Sequence, residues 1–179
     1  MIGIEPALKP AVLAKEHSKV VVMATPMTLS QTKFNSMLHV YEGEANIIKM
    51  PCPGLVEYIE GGMLEGPVLD EYLEKQFEPY EKSEIDAVVL GCTHYPVLED
   101  AVRRFMGESV TLINPGVAVA QAVKKYLEKA DSANEGQNIG THRFFVTDKP
   151  GSFKKTASVL LGEEIDDRKV EQVDLNSLC

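Results

Sequence analysis

Basic residues are in short supply. Lys and Arg total 18 against 27 Asp and Glu, a formal net charge of −9 over 179 residues. With no compensating basic patch, that balance argues against a partner built on phosphates, whether nucleic acid or an anionic membrane surface. Long apolar runs are missing as well. Stretches such as residues 20–24 are strand-sized, far short of the roughly 20 residues that span a bilayer. Glu5, Pro6, Lys9 and Pro10 stand where a secretory signal needs its apolar centre. Cysteine is limited to three positions, 52, 92 and 179, an odd and irregular set that makes no disulfide framework. No second Cys or His pair stands at zinc-ligand spacing, and neither Gly-x-Gly-x-x-Gly nor a Walker loop occurs. The absences together predict a soluble, acidic, cytoplasmic protein with reduced thiols, no metal and no other cofactor.

What is present is alternation. Apolar, β-branched runs at residues 19–25, 45–49, 85–90, 110–113, 142–147 and 170–174 read as strands. Between them lie amphipathic stretches. Phe34, Met37, Leu38 and Tyr41 share one helical face, and Thr28 or Ser30 can cap that helix. Residues 55–60 make a short helix broken by Gly61-Gly62. Residues 67–77 make a longer one with Val68, Leu69, Tyr72, Leu73 and Phe77 on its buried side. Val97, Ala101, Val102, Phe105 and Met106 mark a third helix, and Asn114-Pro115-Gly116 opens a fourth that ends near Lys129. Residues 130–141 are polar and contain glycine, as a loop would, and residues 152–161 form the last helix. Strand and helix alternating at this pitch predict an α/β class, an open, mainly parallel sheet with helices on both faces.

In such a sheet, ligands sit beyond the carboxyl ends of the strands. Cys92 falls there, directly after the run 85–90 and Gly91, with Thr93, His94 and then Pro96 following. A thiol near a helix N-terminus and an imidazole is in surroundings that favour the thiolate. Gly91 allows a close backbone approach or an unusual φ. Set against this, an arbitrary cysteine is most often a small buried hydrophobe, the role assigned to Cys52 between its two prolines. Glu60, at a helix end, is by composition a solvated carboxylate. His17, His39 and His142 stand in no run like that of Cys92 to His94 and read as structural, and Cys179 is the terminal residue.

The run Gly91-Cys92-Thr93-His94-Tyr95-Pro96 resembles the second catalytic motif of glutamate racemases, in the aspartate/glutamate racemase superfamily. Residues 2–7, 24–28 with Lys33-Phe34, 51–60 and the tail from Phe144 through Leu175 are similar to further segments of that family, in order. The resemblance implies cofactor-independent inversion at an amino-acid α-carbon, one cysteine removing the proton and a second returning it to the opposite face. It makes Cys92 one acid/base, has His94 assist the thiol or the substrate ammonium, has Thr93 help hold the substrate, and matches Glu60 to a polar residue near the site. Glutamate is the implied substrate, and D-glutamate for peptidoglycan the implied product. The family's Asp-Ser-Gly and Cys-Asn-Thr motifs, the latter carrying the other cysteine, do not occur here. The resemblance therefore implies one complete domain over residues 1–114 and, over 115–179, only the returning part of a second. Three functions remain open on the sequence: a racemase-type chain inactive alone, a non-catalytic binding or regulatory fragment that pairs with itself or with a full-length racemase, and another cysteine enzyme using Cys92 with His94. A homo-oligomer is expected, because the returning segment is small for an independent core.

Overall fold

The computed structural model describes residues 8–13, 15–41, 43–134, 136 and 140–175. The sequence segments expected at residues 2–7 and Cys179 lie outside these. By contacts the chain divides into two compact units, residues 1–59 with 63–133, and residues 60–62 with 134–179.

The first unit opens with helix α1 (Leu8–Leu13), whose Leu8, Ala11 and Val12 are buried. Strand β1 (Lys19–Ala24) follows, then α2 (Pro26–Ser30), α3 (Thr32–His39) and β2 (Asn46–Pro51). Helices α4 (Leu55–Glu60) and α5 (Pro67–Phe77) lead to β3 (Ala87–Leu90). A 3-10 turn over Tyr95–Leu98 runs into α6 (Glu99–Met106), and β4 (Thr111–Ile113) and α7 (Pro115–Lys129) complete the unit. The four strands pair in parallel in the order β2-β1-β3-β4.

Strand alternation divides the core. Val20, Val22, Ala87 and Val89 face Leu8, Ala11, Phe34 and Leu38 from α1 and α3. Val21, Met23, Val88 and Leu90 face Leu55, Ile59, Leu69, Leu73, Ala101 and Val102 from α4, α5 and α6. Every residue of β3 is buried, as a central strand of a parallel sheet covered on both faces requires. The α/β class and the parallel sheet are as the alternation predicts.

Two local expectations change. Neither Thr28 nor Ser30 caps the Phe34 helix: Pro26 starts α2 immediately after β1, so Thr25 becomes the cap and its hydroxyl accepts from the Thr28 N–H at 3.2 Å. The helix carrying Phe34 begins afresh at Thr32, behind Gln31, which makes no side-chain cap. Val68 is 51 % exposed rather than buried, because the inward stripe of α5 runs through Leu69, Leu73 and Phe77.

Helix α7, assigned by the sequence reading to segment 115–179, groups by its contacts with the first unit. The second unit holds β5 (Phe144–Val146), α8 (Pro150–Leu161) and β6 (Val170–Gln172), a parallel two-stranded crossover. Phe144 meets Phe153 of α8 with ring centroids 5.4 Å apart. No helix among the described residues is long and apolar enough to cross a membrane.

Candidate active site

The strand order contains a switch point. From β1 the chain passes through α3 to β2 on one side, and from β3 it passes through α6 to β4 on the other. At such a point the two connections leave in opposite directions and open a crevice at the strands' carboxyl ends. Cys92 stands there, two residues beyond the end of β3.

Gly91 makes the place possible. Its N–H donates to the Met23 carbonyl at 2.8 Å, prolonging the β1–β3 ladder. A Cβ at this position would lie 2.8 Å from that same carbonyl oxygen and 3.2 Å from Val22 Cγ1. Close approach is thus the reason for glycine here, not a left-handed φ. Gly91→Ala is expected to cost about 1–3 kcal/mol, because a backbone oxygen has to give way. Urea unfolding midpoints of the two proteins measure it.

Beyond Gly91 the chain turns tightly, with the Tyr95 N–H donating to the Cys92 carbonyl at 3.2 Å. The turn brings three of the expected site residues together. Cys92 Sγ lies 3.9 Å from His94 Nδ1, and Thr93 Oγ1 lies 3.4 Å from the same nitrogen, the donor in each case depending on the imidazole tautomer. Cys92 and His94 are half-buried and Thr93 is exposed. A thiol, an imidazole and a hydroxyl within one turn can pass a proton between sulfur and nitrogen while presenting a hydrogen-bond donor to a ligand. Glu60 is exposed and closes α4.

Cys52 is a different thiol. It is buried at the carboxyl end of β2, its N–H donating to the Ala24 carbonyl at 2.9 Å and its Sγ lying 3.5 Å from the Met50 carbonyl. Burial pushes its pKa up to about 12, only partly opposed by hydrogen bonding from Tyr72 and Ala24. The packing role assigned from sequence is what its burial describes.

Two tyrosines carry hydrogen bonds that the sequence did not reveal. Tyr95, fully buried, donates its hydroxyl to the Cys52 carbonyl at 3.3 Å and so ties the Cys92 turn to the loop after β2. Tyr72 donates to the Pro53 carbonyl at 3.0 Å. Burial, and charge at Cys52, hold both phenols above their ordinary range. The sequence placed Tyr72 in the stripe of residues 67–77 and Tyr95 in the motif, and neither placement names a hydrogen-bond partner.

Among curated proteins, a glutamate racemase from Clostridium novyi is 43 % identical over 163 residues, covering 90 % of this chain and 63 % of its own length. One from Clostridium acetobutylicum is 46 % identical over 140 residues, 78 % of this chain and 54 % of its own. The chain is similar to glutamate racemase over most of its length. Solved structures agree. RacE1 glutamate racemase from Bacillus anthracis superposes with a TM-score of 0.79 at 28 % identity, over 96 % of this chain and 63 % of that one. The Francisella tularensis glutamate racemase, crystallised with D-glutamate, gives 0.77 at 26 %, over 93 % and 62 %. No family model matches the chain. It spans less than two thirds of the length of these glutamate racemases.

Proposed function

We propose that the chain carries one side of a glutamate racemase site, with Cys92 as the acid/base on one face of the substrate α-carbon. His94 assists that thiol or meets the substrate ammonium, Thr93 helps hold the substrate, and Glu60 contributes a polar group near the site. The observation that carries this is the Cys92–His94 contact of 3.9 Å at the sheet's switch point. Inversion needs a second acid/base on the opposite face. Cys52 is unsuited to that part because its thiol is buried and held protonated. Residues 1–114 correspond in this reading to a complete racemase domain and 115–179 to the returning part of another, so the chain alone does not invert glutamate. Binding without turnover, as a fragment that pairs with itself or with a full-length racemase, is the second reading.

Alkylation tests the ligand. At pH 8 iodoacetamide is expected to modify Cys92, while Cys52, with about one thiolate in ten thousand at a pKa of about 12, stays unmodified in the folded chain. D- or L-glutamate at millimolar concentration is expected to slow labelling of Cys92, read peptide by peptide in a mass spectrometer. Equal rates with and without glutamate would remove it as the ligand.

A further inference from the structure

Cys92 sits in a short stretch of chain pinned at both ends. One residue before it, the Gly91 N–H donates to the Met23 carbonyl at 2.8 Å. Three residues after it, Tyr95 closes the turn with its own N–H on the Cys92 carbonyl and buries its ring completely in the core. The Tyr95 hydroxyl donates to the Cys52 carbonyl at 3.3 Å. Cys52 is itself held, because its N–H donates to the Ala24 carbonyl at 2.9 Å. Both pins therefore end on β1, on the consecutive carbonyls of Met23 and Ala24, the first directly and the second through Cys52. Between the pins lie Cys92, Thr93 and His94, and the Sγ–Nδ1 separation of 3.9 Å is long even for sulfur. A catalytic pair keeps its working geometry only within about 0.5 Å, so whatever holds this turn decides whether thiol and imidazole touch. A phenylalanine ring would fill the same core space without the cost of burying a hydroxyl.

We propose that Tyr95 is a positioning residue for Cys92: its hydroxyl, seated on the Cys52 carbonyl, keeps the Cys92 thiol in contact with the His94 imidazole. The inference deepens the reading of Cys92 as an acid/base and rests on that reading for any effect on turnover. Because it is fully buried, Tyr95 does not meet a ligand itself. It acts through the backbone of the turn, where its N–H and the Cys92 carbonyl are bonded at 3.2 Å. Tyr72 supplies the contrast. It is a phenol packed on the same core cluster, and it too donates to a carbonyl of the loop after β2, that of Pro53 at 3.0 Å. Yet it belongs to α5 and not to the Cys92 turn. Loss of its hydroxyl takes a bond of the same kind from the same loop without releasing the turn.

Iodoacetamide labelling of Cys92 in the full chain at pH 8, without glutamate, tests it. No substrate enters, so a failure of glutamate to bind is not mistaken for a failure of Tyr95 to position the thiol. The thiolate is the species alkylated, and an imidazole in contact can take its proton. Tyr95→Phe is expected to slow labelling of Cys92 by about threefold or more, the scale of coupling between residues of one network. His94→Asn slows it as well. Tyr95→Phe combined with His94→Asn is no slower than His94→Asn alone, because the phenol acts through a contact that the second change has already removed. Tyr72→Phe labels at the wild-type rate. Cys52, buried in the core, reports on the fold in the same samples. A merely structural loss would open the core and speed labelling of both thiols, whereas loss of positioning slows Cys92 and leaves Cys52 unmodified. A Tyr95→Phe chain labelled at Cys92 as fast as wild type or faster overturns the proposal. So does equal slowing by Tyr72→Phe, or slowing by Tyr95→Phe that multiplies with that of His94→Asn.

Discussion

Incubated with L- or D-glutamate, the purified chain is expected to show no inversion at the turnover of an ordinary enzyme, about 1–1000 per second. The reason is geometric. A thiolate at Cys92 can take the α-proton from one face of the substrate and can return a proton only to that same face. In heavy water the returned nucleus comes from solvent, so the expected product is α-deuterated glutamate of unchanged configuration. Proton NMR reads the loss of the α-hydrogen signal, and circular dichroism reads configuration. Cys92→Ala abolishes the exchange, whereas Cys52→Ala leaves it in place and lowers stability. His94→Asn is expected to slow it by about 10²-fold or more, the usual contribution of a positioned acid/base partner. Rapid inversion by scrupulously racemase-free protein would refute the one-sided site. Absence of exchange at Cys92 would favour the binding fragment.

Alkali is expected to unfold the first unit far more readily than its neutral stability suggests. The Cys52 thiol is raised from 9.0 to about 12 by burial. Between those values the unfolded chain has lost this proton and the native chain still holds it. Stability is therefore fully present below pH 9 and falls by about 1.4 kcal/mol per pH unit as pH climbs towards 12. Tyr72 and Tyr95 are shifted in the same direction, so their contributions add to the decline above pH 10. Urea titrations at pH 8, 9.5 and 10.5 measure the slope. Cys52→Ala is expected to be less stable at pH 8, because it removes a buried side chain, yet to show a shallower alkaline slope by about one proton. An unchanged slope would mean that Cys52 ionises in the native state as easily as in the unfolded one.

The chain order of the six strands, the parallel α/β class and the place of Cys92 were legible from the chain alone. All three rest on local patterns: β-branched runs at 19–25 and 85–90, helical stripes such as Leu69, Leu73 and Phe77, and a motif at a strand's carboxyl end. The bounds of α4 and α5 follow from Gly61-Gly62 and Pro67, which act within a turn of themselves. Helix α1 stayed hidden because it is short and carries Pro10, and burial of Leu8, Ala11 and Val12 helps hold it.

Other features required the chain to be folded. Thr25 became a cap because β1 ends where Pro26 can begin a helix, a choice between neighbours equal in propensity. Tyr95 meets Cys52 across 43 residues of sequence, and no periodicity carries that distance. Which of two meanings Gly91 has, an unusual φ or a close approach, was settled by the Met23 carbonyl on the adjacent strand. Cys52 and Cys92 look alike as residues. Their environments differ because one closes into the core beneath two tyrosines while the other emerges beside His94 at the switch point. The sequence by itself determined which chemistry could be present and on which kind of element. Tertiary structure decided which thiol was solvated enough to use, because desolvation depends on what the rest of the chain places around a side chain.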